Sequence, residues 1–226
     1  MSRTSLYLLV ALLLLIGGSV AGFLVLSKQS VIPENSSDTA GTNVTGQALF
    51  SDGEYGFSIR YPQRYATDYT FSTFYHLPAE WRANALPEAT GTPILAIIPY
   101  RIQSEHSYPR YYDAEVRIGA SKDPKEVARC LVVATEQAEQ QLPDVMLNGT
   151  AFKAFAFQSA GMMQYAKGVS YRTVHNGACI AVEKIAAGSS YRDDPVSSDD
   201  VPQATLDAAY TSLDAVVSAF AFTYPV

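Results

Sequence analysis

The sequence has little positive charge. Lysine and arginine together number 16 against 22 aspartate and glutamate residues, and the formal net charge is −6. The basic residues form no cluster. Nucleic-acid binding depends on lysine and arginine contacts to the phosphate backbone. We therefore expect no nucleic-acid partner.

Histidine is scarce as well, since the chain contains only His76, His106 and His175. None of them shares a motif with a nucleophile, and no G-x-S-x-G sequence is present. His175 directly precedes Asn176-Gly177 and is explained as a turn residue. We predict no catalytic residue and no cofactor. The alternative is an extracytoplasmic hydrolase whose site assembles only in three dimensions.

Cysteine is limited to Cys130 and Cys179, with no C-x-x-C motif and no histidine close to either residue. This arrangement is a poor metal site, and no metal ligand is predicted. In an oxidising compartment, two cysteines in one domain indicate a disulfide. In the cytosol, the same residues would be a pair of buried thiols.

Charge is also missing from a long apolar stretch, residues 6–26, which lies between Arg3 and Lys28. At 1.5 Å per residue, a helix of this length crosses the roughly 30 Å hydrocarbon core of a bilayer. We expect an uncleaved transmembrane signal-anchor over residues 1–27. The alternative is a signal peptide cleaved after Ser19-Val20-Ala21, but the apolar run continues beyond that point.

A polar segment and one domain follow the apolar run. Residues 28–48 are rich in Ser, Asn, Thr and Gly and predict a flexible linker. Residues 49–226 are long enough to form one domain with a sizeable core. We favour a cytoplasmic N-terminus because a large domain then follows an ordinary signal-anchor. This predicts a single-pass cell-membrane protein, in contact with the lipid bilayer through residues 6–26 and with an extracytoplasmic C-terminal domain.

Alternation of apolar and polar residues predicts strands with one buried face. It occurs at residues 55–61 and 114–119, and the continuous apolar run 94–98 predicts a buried strand. Further strands are expected at residues 69–75, 152–157 and 165–174. The proline-rich residues 78–93 predict an irregular loop with Trp81 inserted into the core.

Two helices are predicted. The first begins at Asp123, where Asp-Pro-Lys-Glu supplies a capping side chain and a proline at the first helical position. An apolar stripe extends it through Val127, Leu131, Ala134 and Ala138, with Cys130 beside the stripe and facing the sheet. The second helix follows Pro202, with Asp200 as its cap. Its apolar face comprises Leu206, Tyr210, Leu213, Val217 and Phe220.

The dipeptide Asn176-Gly177 predicts a tight hairpin turn, because both positions favour the positive φ that such a turn requires. Residues 171–174 should then pair antiparallel with residues 179–182. Together these elements predict an α+β fold, an antiparallel β-sheet with two packed helices, preceded by one N-terminal transmembrane helix.

Two clusters are candidate binding sites. Tyr108, Arg110, Tyr111 and Tyr112 surround Pro109, and aromatic residues beside an arginine are typical of partner-binding surfaces. The alternative is that these rings pack over the edge of the sheet. Asp193, Asp194, Asp199 and Asp200 could bind a cation through carboxylate oxygens, but they lack the spacing of a calcium loop, so a solvated loop is favoured.

Four segments resemble the Mog1/PsbP-like α/β/α domain of bacterial exported proteins. They are the opening segment Asp52-Gly-Glu-Tyr-Gly-Phe-Ser-Ile-Arg-Tyr-Pro62, the strand at residues 114–121 leading to a cysteine-containing helix, the hairpin at residues 171–179, and a final helix ending in Phe220-Ala-Phe222. The resemblance implies a Mog1/PsbP-like fold. It also supports a disulfide between Cys130 and Cys179, since similar domains carry a cysteine at both places.

From these observations we expect a non-catalytic binding or scaffolding role in the cell envelope. The partner would be an unknown protein or small molecule. A cation-binding envelope domain is a further alternative, based on the acidic residues 193–200.

Overall fold

A computed structural model describes residues 46–71, 77, 79–86, 88–102, 112–135, 138–161, 164–189 and 201–223. Within these ranges, no helix is both long and apolar enough to span a bilayer. The predicted signal-anchor, residues 1–27, lies outside them, as does nearly all of the predicted linker, residues 28–48.

The described residues form ten strands and two helices. The strands are β1 Gln47–Asp52, β2 Phe57–Pro62, β3 Ala66–Asp68, β4 Thr92–Ile102, β5 Tyr112–Ser121, β6 Gln140–Leu147, β7 Thr150–Gly161, β8 Gln164–His175, β9 Ala178–Ser189 and β10 Phe220–Phe222. The helices are α1 Pro124–Arg129 and α2 Gln203–Ser218.

Two antiparallel sheets organise the chain. The larger has seven strands in the order β3-β4-β5-β9-β8-β7-β6, and the smaller has the order β1-β2-β10. The predicted α+β class, an antiparallel sheet with two helices, is therefore confirmed. Neighbouring strands of the larger sheet are consecutive in the chain except at β5 and β9, which pair with each other.

The predicted hairpin at Asn176-Gly177 is confirmed. Both residues have positive φ, 48° and 74°, as the turn requires. In the register that follows, Tyr171 pairs with Val182 and Val174 pairs with Cys179. The turn therefore fixes which residues of β8 and β9 share a face of the sheet.

The main apolar core lies between the larger sheet and α2. Leu213, Val216 and Val217 of α2 are buried against a cluster that includes Val116 and Val182 of the sheet. Side chains of the smaller sheet belong to the same cluster: Phe57, Ile59, Tyr61 and Phe220. Helix α2 and the smaller sheet thus cover one face of the larger sheet.

The opposite face is covered by the described residues of 77–91 and 124–139, which we call the cover. Trp81 is its apolar anchor, only 2% exposed, and packs with Cys130, Cys179 and Ala181. The prediction that Trp81 inserts into the core from an irregular loop is confirmed. The loop runs from Leu77 to Gly91 without a helix or strand in its described residues.

The first predicted helix is much shorter than its apolar stripe suggested. Asp123 caps it as expected, accepting a hydrogen bond from the Lys125 backbone N–H, but α1 ends at Arg129. Leu131 is exposed, and Ala138 has a positive φ of 55°. The β-branched pair Val132-Val133 disfavours helix. The backbone N–H of Ala134 donates a hydrogen bond to the Glu139 carboxylate and not to a carbonyl oxygen one helical turn earlier.

The C-terminal part of the chain also departs from expectation. Phe220–Phe222 forms strand β10, paired with β2, rather than the end of a helix. The side-chain amide of Asn148 donates to the carbonyl oxygens of Ser218 and Phe220, at 2.9 and 2.6 Å, where helix gives way to strand. At the other end of α2, the cap residue is Pro202 and not Asp200.

The strand predicted at residues 69–75 is wrong where the structure describes it. Strand β3 ends at Asp68, Tyr69 and Thr70 form a bend, and Phe71 has a positive φ of 46°. The Asp68 side chain accepts hydrogen bonds from the backbone N–H and the hydroxyl of Thr70, which stabilises the bend. Residues 72–76 lie outside the described ranges.

Candidate functional site

The predicted tyrosine patch is described only at Tyr112, since Tyr108, Arg110 and Tyr111 lie outside the described residues. Tyr112 is buried on the α2 side of the sheet, and its hydroxyl donates to the Leu206 carbonyl oxygen at 3.0 Å. Burial raises the pKa of this hydroxyl well above its usual value. The Tyr112 side chain therefore links β5 to α2 through a hydrogen bond and is not part of an exposed binding surface.

Of the three histidines, only His175 lies within the described residues. It precedes the hairpin turn as predicted, but its imidazole is buried and stacks on the Phe222 ring with centroids 3.6 Å apart. Burial lowers the pKa of His175. Neither ring nitrogen has a hydrogen-bond partner among the described residues. His175 is thus a packing residue that joins β8 to β10.

The acidic residues Asp193, Asp194, Asp199 and Asp200 lie outside the described residues. Elsewhere, the part of the chain that the structure describes has no group of three or more His, Cys, Asp or Glu residues that could hold a metal ion.

The predicted disulfide between Cys130 and Cys179 is confirmed. The two Cα atoms are 5.6 Å apart, and both residues are buried. Cys130 directly follows α1, and Cys179 lies in β9 next to the hairpin turn. The bond therefore attaches the cover to the centre of the larger sheet.

A layer of buried charged side chains lies between the cover and the sheet. We call it the charged layer; its members are Arg82, Glu126 and Glu139 of the cover and Arg172 and Glu183 of the sheet, each at most 6% exposed. Sequence reasoning missed it. A charged residue that alternates with apolar ones in a strand predicts a solvent-facing side chain, and only the cover makes this face an interior.

Glu139 is the centre of the charged layer. Its carboxylate accepts hydrogen bonds from Arg172 and from the Asn84 side-chain amide, and lies 3.8 Å from Arg82. Arg82 is also 3.6 Å from Glu126. Burial lowers the pKa of Arg82, and repulsion by Arg172 lowers it further, while the neighbouring glutamates oppose the shift. An arginine remains protonated in such a site, so the layer is made of ion pairs.

Three exposed aliphatic residues neighbour the disulfide in the sequence or in the strand register. Leu131, Val132 and Val174 are 43%, 58% and 41% exposed. Leu131 and Val132 directly follow Cys130, and Val174 is the register partner of Cys179. We call these three residues the aliphatic patch. Lys125 and Arg129, both exposed, lie on α1, which ends just before Cys130 and Leu131.

A shallow depression of about 470 Å³ lies where β7 ends and β8 begins. Its lining is partly polar and includes Gln158, Tyr165, Lys167 and Gln203. It is open to solvent on one side. It is therefore a surface feature beside the N-terminus of α2 and not an enclosed pocket.

No protein-family model matches the sequence, and no curated protein matches it. Among solved structures, the chain is similar to the cyanobacterial PsbP protein CyanoP from Synechocystis, with a TM-score of 0.38, 11% identity, and coverage of 82% of this chain and 97% of that one. It is also similar to the Ran-binding protein Mog1p from Saccharomyces cerevisiae, with a TM-score of 0.33, 12% identity, and coverage of 79% and 96%.

These two structures are of the proteins after which the Mog1/PsbP-like family is named, which is the family that the sequence resembles. At these TM-scores, neither match says anything about what this chain binds. Its role has to be argued from its own surface and covalent structure.

Proposed function

We propose that this protein is a membrane-anchored extracytoplasmic domain that binds a partner protein and performs no catalysis. The observation that carries the proposal is the aliphatic patch, Leu131, Val132 and Val174, gathered around a buried disulfide. Single exposed aliphatic residues are ordinary, whereas several in one place are typical of an interaction surface.

The disulfide makes the aliphatic patch suitable for binding. Leu131 and Val132 follow Cys130, which is covalently fixed to β9, and Val174 belongs to the paired strand β8. A surface held in one conformation loses little entropy when a partner binds. Three small aliphatic groups are too few for a tight complex, so we expect a transient one or one with further contacts.

The charges on α1, the helix that ends just before Cys130 and the aliphatic patch, indicate the chemistry of the partner. Lys125 and Arg129 are exposed and one helical turn apart, in a protein whose formal net charge is −6. Opposite charges at the edge of an interface increase the association rate and select the partner. The partner would therefore be a protein that presents apolar side chains flanked by carboxylates.

The proposed compartment is supported by the disulfide and by the N-terminal sequence. Disulfides persist in oxidising compartments and are rare in the cytosol. The uncharged residues 6–26 are long enough for a membrane anchor. Together they favour a domain held outside the cytoplasmic membrane.

Site-specific photo-crosslinking in intact cells of the native host tests the binding proposal. A photoreactive amino acid placed at Val132 or Val174 should yield a discrete adduct. The same group at Met146 or Leu49, which are 63% and 53% exposed, is the matched control and should not. The double change Leu131→Ser and Val132→Ser should abolish capture from Val174. Adducts that form equally at Met146, or that persist in the double variant, would contradict the proposal.

A further inference from the structure

The two faces of the larger sheet are covered in different ways. The face under α2 and the smaller sheet carries the large apolar cluster. The face under the cover has three small clusters, centred on Leu77, Trp81 and Phe71, with the charged layer beside them. The attachment of the cover therefore depends much less on apolar burial than the attachment of α2.

Several polar groups between the cover and the sheet are incompletely satisfied by the described residues. The Ala83 backbone N–H donates to Glu183 at 2.6 Å, and Glu139 pairs with Arg172. The second carboxylate oxygen of Glu183, Nη1 of Arg172 and Nε1 of Trp81 are buried without a hydrogen-bond partner among the described residues. Buried ion pairs recover little beyond their desolvation cost, and orphaned polar atoms add to that cost.

Separation of the cover would expose charged side chains together with apolar ones. The sheet residues beneath it include Ser170, Arg172 and Glu183, with Glu115 and Arg117 on the neighbouring strand β5, and the apolar residues Ala181 and Ile185. Hydration of the charged side chains offsets part of the loss of their pairs, which lowers the cost of exposing this face to water. An element with this kind of interface can open locally while the rest of the fold persists.

We infer that the Cys130–Cys179 disulfide holds the cover on the larger sheet and that reduction of this bond releases the cover. A dithiol reductant would supply two electrons and two protons, converting the disulfide into two thiols and becoming a disulfide itself. The cover then separates from the sheet, while both sheets and α2 remain folded. This inference is argued from the interior of the molecule and needs no partner, although Leu131 and Val132 of the aliphatic patch belong to the cover and would move with it.

Hydrogen exchange of the full-length protein in nanodiscs, read by mass spectrometry, tests the inference. In the double variant Cys130→Ala and Cys179→Ala, amides of residues 79–86 and 124–135 should exchange about tenfold faster or more. Amides of β5, β9 and α2 should stay within about twofold of the wild type. The wild type treated with dithiothreitol at pH 8 should show the same pattern.

The change Val217→Ala is the matched control, because Val217 lies in the apolar core on the opposite face. It should accelerate exchange in α2 before it affects the cover. Equal acceleration in all regions of the double variant would show one cooperative unit and overturn the inference. Unchanged exchange of the cover in the double variant would also overturn the inference. So would a wild type whose cover exchange does not increase with dithiothreitol although it increases in the double variant.

Discussion

Gly119 shows how closely the cover approaches the sheet at the level of single atoms. A Cβ atom at this position of β5 would lie 1.8 Å from the Trp81 carbonyl oxygen and 2.8 Å from its carbonyl carbon. Both are backbone atoms of the cover, which cannot rotate away as a side chain could. Glycine is therefore required at residue 119 for steric reasons.

We predict that Gly119→Ala destabilises the protein by about 1–3 kcal/mol, the usual cost of overpacking. It should also displace Trp81, the only tryptophan, so the fluorescence maximum of the folded state should shift to longer wavelength. Gly53→Ala is the control, because nothing lies within 4 Å of a Cβ at residue 53. Urea unfolding followed by fluorescence measures both effects. Equal stability of the two variants would contradict the close approach.

His175 gives the folded protein a pH dependence whose sign follows from burial. Its pKa is lowered in the folded state, whereas an unfolded histidine titrates near 6.5. The unfolded chain therefore binds a proton first as the pH falls. The contribution of His175 is fully present above about pH 6.5 and is lost as the pH drops through the unfolded and then the folded pKa.

We predict that the wild type loses more unfolding free energy between pH 7.5 and pH 5 than His175→Phe does. The phenylalanine ring can still stack on Phe222 but carries no titratable group. The other acids and histidines titrate in both proteins, so the difference between them isolates His175. Urea unfolding at both pH values measures it, and parallel losses would show that the imidazole is not desolvated.

Among the secondary-structure elements, α2 is held by packing more than by its own ends. Its N-cap, Pro202, makes no side-chain capping hydrogen bond, and its first turn has no acidic residue. Farther along, Lys184 of β9 lies 2.6 Å from Asp214 and 4.1 Å from the centroid of the Tyr210 ring. The buried face and these contacts fix the helix although its N-terminus is poorly capped.

We predict that Pro202→Asp stabilises the protein by about 0.5–1.5 kcal/mol relative to Pro202→Ala, because only aspartate can accept a hydrogen bond from the first backbone N–H groups. Comparing the two variants removes the effect of losing the proline ring. Thermal and urea unfolding measure the difference. Equal stability would mean that another group already satisfies these N–H donors.

Elements whose pattern and turn chemistry agree could be predicted from the sequence. Strands β2 and β5 follow from alternation, β4 follows from a continuous apolar run, and the pairing of β8 with β9 follows from Asn176-Gly177. Strand β6, by contrast, contains Pro143 and a register irregularity at the edge of the sheet, and its residues are mostly exposed. Such an edge strand carries no clear two-residue period, so its residues give no strand signal in the sequence.

The candidate sites were less predictable than the strands, because local sequence patterns do not show which distant segments cover a strand. The Cys130–Cys179 disulfide could be predicted because the chain has only these two cysteines, export was expected, and the family resemblance supported their pairing. The charged layer could not be predicted, since charged residues such as Arg172 and Glu183 in alternating strands indicate a face that is exposed to solvent. Only the path of residues 77–91 over the sheet, a long-range feature, buries these charges.

For the whole molecule, membrane attachment stays a prediction from residues 6–26 alone. The length and continuity of this apolar run favour an uncleaved anchor. We predict that the native protein keeps these residues and sediments with membranes after carbonate washing. Protease added to intact spheroplasts should digest the domain from outside, whereas a cytoplasmic control protein stays intact. N-terminal sequencing tests the anchor, since a mature chain that begins at Gly22 would overturn the anchor but not the export. A domain protected from external protease would overturn both.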